Sequence, residues 1–221
     1  MPGQIPRPTL LYRLVHIDNL PMLLQRGALH APNFTPDDGL PYRTIHDAEV
    51  QASRHEKQVP CGPCGSIHDY LPFYFGPLSV MLLKLKTGQV PGYSEGQEPL
   101  VYLVTTVERV ATGGTRFVFS DGHGLNRLTR WYDDLTQLDA VDWEIVGVQY
   151  WHNTDEDGDR QRRKQAKFLV WRSLDWEQIL GIGVLYPSTM SKAEAILDQF
   201  PQRGRPPVKV KSGWYYRECG P

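Results

Sequence analysis

Apolar runs, alternating or continuous, predict the strands of this chain. Alternation and β-branched content favour strands at residues 9–16, 100–106, 117–119, 145–151, 168–171, 182–186 and 208–216. The most apolar window, residues 71–85, predicts one or two core strands around the Gly76-Pro77 break. Because no repeat or linker divides the sequence, we expect its 221 residues to form a single domain spanning positions 1–221.

Apolar positions at helical spacing predict helices at residues 19–26, 45–55, 107–111, 125–143, 176–180 and 191–200. Asp18 is expected to cap the first of these helices and Gly27 to end it. Ser191 and Glu194 form a capping-box pattern at the start of the last. His16 therefore lies where a strand ends and a helix begins. Ligands often bind at such positions, because the first N–H groups of a helix are unpaired.

The composition is that of a soluble globular protein, with 40% hydrophobic and 22% charged residues. A net charge of −1 excludes a polycation, so any binding of nucleic acid must come from local patches. No apolar run reaches the roughly 18 residues of a membrane span. Residues 1–8 also lack the apolar region of a signal peptide. We therefore expect a cytoplasmic protein without membrane contact.

Two basic clusters lie beside aromatic residues in the sequence. Their members are Arg160, Arg162, Arg163 and Lys164, near Trp151 and Trp171, and Arg203, Arg205, Lys209 and Lys211, near Trp214 and Tyr215. Single-stranded nucleic acid offers both phosphates and base faces, so this combination of charge and rings suits it. Solvent-exposed faces of an ordinary protein have the same pattern, and both interpretations stay open at this point.

The chain has three cysteines, Cys61, Cys64 and Cys219, and an odd number argues against a disulfide framework. Cys61 and Cys64 form a lone CxxC motif with Gly62 and Pro63 between them. This spacing suits a tight turn, half of a zinc site or a redox pair. A tight turn is the favoured interpretation, and we expect no metal.

Four segments, in this order along the chain, are similar to the DarT family, bacterial toxins that ADP-ribosylate DNA. They are Tyr12-Arg-Leu-Val-His-Ile-Asp-Asn-Leu-Pro21, Leu71-Pro-Phe-Tyr-Phe-Gly-Pro-Leu-Ser-Val-Met81, Phe117-Val-Phe-Ser-Asp-Gly-His123 and Lys164-Gln-Ala-Lys-Phe-Leu-Val170. The resemblance implies an α+β, ADP-ribosyltransferase-like fold, with a mixed β-sheet core and peripheral helices. It implies NAD⁺ as co-substrate and a base in single-stranded DNA, usually thymine, as acceptor. It also implies a macrodomain antitoxin as partner.

The same resemblance implies roles for individual residues. His16, with the adjoining Asp18 and Asn19, is expected to contact NAD⁺. Arg54 is expected near the nicotinamide ribose and the reacting base, and Tyr74 in the nicotinamide pocket.

Residues 122–166 match the family's substrate-presenting loop. His123, at the start of that loop, is therefore expected to contact DNA. The first basic cluster, near its end, is expected to do the same.

The chain departs from the family at its catalytic position. The family motif reads Gln-Ala-Glu-Phe-Leu-Val and its glutamate is catalytic, whereas Lys167 stands there in this chain. A carboxylate would offset the positive charge that develops on the ribose and would accept a proton from the attacking base. An ammonium about 4 Å from that charge costs roughly 4 kcal/mol at an effective dielectric near 20. Because this is on the order of a thousandfold in rate, we expect an inactive or strongly impaired enzyme.

Two further functions remain possible from the sequence. The scaffold could serve as a non-catalytic protein that binds single-stranded nucleic acid. It could also be an ADP-ribosyltransferase that acts on RNA or protein.

Overall fold

The computed structural model describes residues 3–46 and 48–217, which form ten strands and seven α-helices. The strands are β1 (Leu10–His16), β2 (Ala28–His30), β3 (Tyr70–Tyr74), β4 (Leu100–Thr106), β5 (Phe117–Ser120), β6 (Trp131–Tyr132), β7 (Lys167–Trp171), β8 (Ser173–Asp175), β9 (Gly181–Val184) and β10 (Val208–Val210). The helices are α1 (Leu20–Arg26), α2 (Ala48–Glu56), α3 (Val80–Lys86), α4 (Val107–Thr112), α5 (Trp143–Gly147), α6 (Arg160–Arg163) and α7 (Pro187–Asp198).

Eight of the strands form one mixed sheet in the order β10-β9-β4-β1-β3-β7-β5-β6, while β2 pairs with β8. The sheet is mixed because β10 runs parallel to β9 and the other neighbours are antiparallel. Every residue of β4 is buried, which explains its continuous apolar sequence. Helices α1 and α7 pack into the core on one face of the sheet, and α3 packs on the other.

The register of three strands fixes the position of Lys167. It is the first residue of β7, and its Cα partners are Tyr74 on β3 and Ser120 on β5. β3 in turn pairs with β1 through Tyr74 and Tyr12. Lys167 therefore lies between two neighbouring strands at the edge where the long loops leave the sheet.

The strands β1, β4, β5, β7 and β9 and the helix α4 confirm the predictions made at those positions. Gly27 ends α1 with a left-handed φ of 71°, as predicted. The predicted Asp18 cap is wrong, because the ring of His16 accepts the hydrogen bond from the Asp18 N–H. The capping box at 191–194 is wrong as well. Helix α7 begins earlier, at Pro187, which suits the first turn of a helix.

Residues 125–143 do not form the predicted amphipathic helix. Trp131 and Tyr132 pair with β5, and the next residues form a 3₁₀ helix, Leu135–Ala140, followed by α5. Asp134 and Asp142 each accept a hydrogen bond from a backbone N–H two or three residues ahead. Such bonds start new turns, so the apolar spacing is divided between short elements.

Two predicted strands are replaced by other structure. In the window 71–85, Ser79 caps α3 by accepting a hydrogen bond from the Leu82 N–H, so only β3 is a strand. Residues 145–151 begin in α5, and their carbonyls at Val146 and Val148 bind a lysine side chain instead of a neighbouring strand. The last predicted strand, 208–216, is shortened to β10.

Candidate active site

Three adjoining cavities lie beside the sheet, and we call them together the cleft. The largest, about 340 Å³, lies between α1 and residues 29–46 and is lined by Arg13, His46 and Gln51 among others. The second, about 110 Å³, shares His46 and Gln51 with the first. The third shares Arg54, His123 and Lys167 with the second. The shared residues form common walls, so the three cavities lie side by side in one groove.

Lys167 and Tyr74 face each other in the second cavity. The Lys167 Nζ lies 4.8 Å from the centroid of the Tyr74 ring. Within the described part of the chain, Nζ makes no ion pair with a carboxylate. Burial, together with the charges of Arg54 and Arg13, lowers the pKa of Lys167 well below its ordinary value. The ammonium form of Lys167 is therefore less favoured in the fold than it is in water.

Arg54 reaches the same cavities from α2. Burial lowers the pKa of its guanidinium, but an arginine keeps its proton at any physiological pH. Arg13, whose Nη1 donates to the Pro72 carbonyl at 3.1 Å, adds a second fixed charge. Among the described residues that line the cleft, none is an aspartate or a glutamate. The groove is thus positive, which suits an anionic ligand.

Two histidines in the cleft are kept neutral. Burial and the nearby cations Lys167 and Arg54 lower the pKa of His123 to about 4. Burial and the charges of Arg13 and Arg54 lower the pKa of His46 to about 3. Each ring can therefore donate one hydrogen bond and accept another at neutral pH.

The other three predicted NAD⁺ contacts lie outside the lining of the cleft. His16 is fully buried, and its Nδ1 accepts a hydrogen bond from the Asp18 N–H at 3.2 Å. Asp18 forms ion pairs with Arg43 and Lys192. Asn19 exchanges two hydrogen bonds with the backbone of Arg43. Asp18 and Asn19 thus hold Arg43, in the loop beside the first cavity.

The first basic cluster is bound internally, and the contact with DNA expected for it stays a prediction. Arg160 donates to the carbonyls of residues 150 and 152, and Arg162 pairs with Asp121 and Asp159. Arg163 pairs with Asp142 and Asp157, and the Lys164 amine donates to two carbonyls. These charges stabilise residues 142–166, so of the five residues expected to contact DNA only His123 faces the cleft.

The CxxC motif forms a tight turn. The Cys64 N–H donates to the Cys61 carbonyl at 3.1 Å, and Cys64 has a left-handed φ of 60°. Among the described residues, no group of three potential ligands is arranged to hold a metal ion. Cys219 lies outside the described residues.

Sequence reasoning missed several residues that line the cleft. They are Arg13, His46, Gln51, His68 and Lys84. Arg13 could have been identified from the sequence, because it is a charged residue within a largely apolar strand. A charge in such a position needs a partner or a ligand. The others lie in irregular segments or on helix surfaces, where the pattern of polar residues carries no comparable signal.

The comparison with protein families decides the identity of the fold. The model of the family "ssDNA thymidine ADP-ribosyltransferase, DarT" matches residues 12–216. This chain belongs to the DarT family. The predicted α+β, ADP-ribosyltransferase-like fold is thereby confirmed, as is the assignment to the ADP-ribosyltransferases.

Curated relatives agree with the DarT assignment over nearly the whole length. A "DNA ADP-ribosyl transferase" of Thermus aquaticus is 38% identical over 213 residues, covering 96% of this chain and 91% of the relative. One of Escherichia coli O127:H6 is 32% identical over 211 residues, covering 96% and 95%.

Solved DarT structures share the fold. Thermus sp. 2.9 DarT in complex with ADP-ribosylated ssDNA superposes with a TM-score of 0.91 at 38% identity, covering 98% of this chain and 100% of that one. The same protein in complex with NAD⁺ gives 0.86 at 37% identity, covering 96% and 100%. In the described part of this chain, no helix has the length and apolar character needed to cross a membrane.

Proposed function

We propose that the chain is a DarT-type toxin that binds NAD⁺ in the cleft and acts in the cytoplasm. Its acceptor is a thymine base in single-stranded DNA, and a macrodomain antitoxin removes the modification. Lys167 replaces the catalytic glutamate, so transfer to DNA is strongly impaired. The observation that carries the proposal is the meeting of Arg54, Tyr74 and Lys167 in one cleft of a DarT-family fold.

The shape and charge of the cleft support NAD⁺ as its ligand. The cavity beside α1 is large enough for a nucleoside, and it continues into the smaller cavity that contains Tyr74 and Lys167. Arg13 and Arg54 would attract the diphosphate, and the Tyr74 ring offers a face to a planar base. The NAD⁺ complex of the Thermus sp. 2.9 relative supports the same assignment.

The chemistry of Lys167 explains the expected loss of transfer. A carboxylate at this position would stabilise the positive ribose and accept a proton from the attacking base. The lowered pKa of Lys167 means that its proton is lost more easily than that of a lysine in water, which reduces the repulsion expected from a fixed ammonium. Neither form of the amine supplies a negative charge. The attraction that is lost amounts to about 4 kcal/mol at roughly 4 Å, or on the order of a thousandfold in rate.

A labelling experiment tests this proposal. The chain and its Lys167→Glu variant are incubated with labelled NAD⁺ and single-stranded oligonucleotides with or without thymine. We expect the variant to label the thymine-containing strand at least a hundredfold faster than the unaltered chain. The Lys57→Glu variant makes the same charge change outside the cleft and should not gain activity.

Three results would contradict the proposal. Equal labelling of DNA by both forms would remove Lys167 from the catalytic position. Labelling of RNA or protein, but not DNA, by the Lys167→Glu variant would assign another acceptor. Oligonucleotide binding without any binding of NAD⁺ to either form would support the non-catalytic alternative.

A further inference from the structure

The Lys167 amine faces the cleft and has no hydrogen-bonding partner among the described residues. It lines both of the smaller cavities and lies over the Tyr74 ring, and it makes no hydrogen bond or ion pair with the described residues. Lys164, three residues earlier, is the opposite case. Its amine is buried and donates to the carbonyls of Val146 and Val148 at 2.9 and 2.7 Å. The two lysines thus differ in role, since one holds the fold and the other faces a ligand site.

The surroundings of Lys167 favour an amine with a free electron pair. The titratable groups that face it come from several elements: Arg13 on β1, His46 before α2, Arg54 on α2, Tyr74 on β3, Lys84 on α3 and His123 after β5. No acid is among them in the described part of the chain, and two of them are arginines. Burial and the charges of Arg54 and Arg13 lower the pKa of Lys167, so its unprotonated form is favoured more than that of a lysine in water. An unprotonated lysine is a nucleophile.

We propose that Lys167 is itself an acceptor of ADP-ribose, so that the chain modifies its own active site once and then stops; this inference rests on the NAD⁺ site proposed above. The Lys167 Nζ bonds to C1′ of the nicotinamide ribose while the bond from C1′ to the nicotinamide nitrogen breaks. Nicotinamide leaves as a neutral molecule with the bonding electron pair. The new secondary ammonium loses one proton to water. NAD⁺ is the only co-reactant.

The position of the residue supports this reaction. In the proposed enzyme, position 167 lies next to the reacting ribose, where the glutamate would act. An amine at that distance competes with the incoming DNA base and has the advantage of being held in place, which converts a bimolecular attack into a unimolecular one. Because the product blocks the cleft, each chain reacts once.

Mass spectrometry of the intact chain after incubation with NAD⁺ tests the inference. We expect a mass gain of one ADP-ribosyl group, release of one equivalent of nicotinamide, and a modified peptide that contains Lys167. The Lys167→Gln and Lys167→Arg variants should gain nothing. Lys57→Gln, which removes a lysine outside the cleft, should be modified like the unaltered chain.

Two controls separate the possible failures. Free ADP-ribose replaces NAD⁺ in a parallel reaction, and an equal mass gain there would show chemical glycation and overturn the inference. Calorimetry measures NAD⁺ binding to the Lys167→Gln variant. Binding without modification of the unaltered chain overturns self-modification alone. If NAD⁺ binds neither form, the proposed function fails as well. Modification at a residue other than Lys167 also overturns the inference.

Discussion

The Lys167 amine lies 4.8 Å from the centroid of the Tyr74 ring, and the two residues are Cα partners on neighbouring strands. A charged amine over an aromatic face is stabilised by roughly 0.5–1 kcal/mol at exposed sites. Burial and two arginines act in the other direction, and they prevail, since the pKa of Lys167 is well below its ordinary value. The cleft therefore holds a lysine that loses its proton more easily in the folded chain than in the unfolded one.

The lowered pKa of Lys167 predicts how its substitution changes stability. Because this pKa is lower in the fold than in the unfolded chain, stability rises with pH between the two values, up to the ordinary lysine pKa near 10.4. Lys167→Met removes this cost, and we expect it to raise the free energy of unfolding at pH 7. Chemical denaturation at several pH values should show the difference from the unaltered chain shrinking towards pH 10. A constant difference would show that folding does not lower the pKa of Lys167.

The two neutral histidines predict loss of stability in acid. The pKa of His123 is about 4 and that of His46 about 3 in the fold, against about 6.5 in an unfolded chain. Stability should be complete above pH 6.5 and should fall as pH drops towards 4, because only the unfolded state binds these protons. Each histidine contributes up to about 1.4 kcal/mol per pH unit within its window. The His123→Gln variant should show a shallower fall between pH 6 and 4, and an unchanged slope would contradict this assignment.

Lys164 predicts a structural rather than a functional phenotype. Lys164→Met leaves the carbonyls of Val146 and Val148 without their donor, which costs about 2 kcal/mol. Urea denaturation should show this loss. Arg205→Gln is the matched control, because it breaks an exposed ion pair with Asp198 and should cost less than about 1 kcal/mol. Equal effects of the two substitutions would show that the Lys164 amine does not hold the carbonyls.

A side chain at position 76 should destabilise the fold, because the backbone of another segment lies very close to Gly76. A Cβ at Gly76 would lie 2.3 Å from the Val146 carbonyl oxygen, a backbone atom that cannot turn aside. Gly76→Ala should therefore lower the free energy of unfolding by about 1–3 kcal/mol. Gly147→Ala, whose Cβ would meet nothing within 4 Å, should stay within about 0.5 kcal/mol of the original. Similar melting temperatures for the two variants would contradict the close approach of these segments.

Removal of the Arg54 charge should weaken NAD⁺ binding. Its guanidinium faces the cavity with Tyr74 and Lys167, so Arg54→Gln removes a charged donor at the proposed diphosphate and ribose. The loss of one charge-assisted hydrogen bond, about 1.5–3 kcal/mol, corresponds to at least a tenfold weaker Kd. Calorimetry measures the change, and Arg205→Gln, on the surface, should leave Kd unaltered. Unchanged affinity in Arg54→Gln would place NAD⁺ elsewhere.

The sequence predicted the elements whose formation depends on a single factor, such as burial of an apolar strand or the backbone conformation of a glycine. Residues 100–106 are apolar throughout, and β4 is buried throughout. Gly27 ended α1 because few other residues adopt its backbone conformation without strain. The predictions failed where a side chain competed with the backbone. Asp134 interrupted the expected helix at 125–143, and Ser79 turned part of an apolar run into α3.

The candidate site was predictable only as far as single positions could be matched to the family. Arg54, Tyr74 and Lys167 come from three separate elements, and the structure brings them together. The internal bonds of Arg160, Arg162, Arg163 and Lys164 were not predictable, because their acceptors lie on distant loops and in a neighbouring acidic turn. A run of basic residues looks the same in the sequence whether it binds DNA or forms ion pairs with carboxylates of the same chain.

Backbone pairing with two neighbours presents residue 167 at the same point of the groove, whatever side chain it carries. Lysine and glutamate codons differ at one base. On the proposed function, a single point mutation therefore separates the inactive form of the protein from a toxic one. A bacterium that carries this coding sequence still benefits from the antitoxin, which would protect it if that mutation occurred.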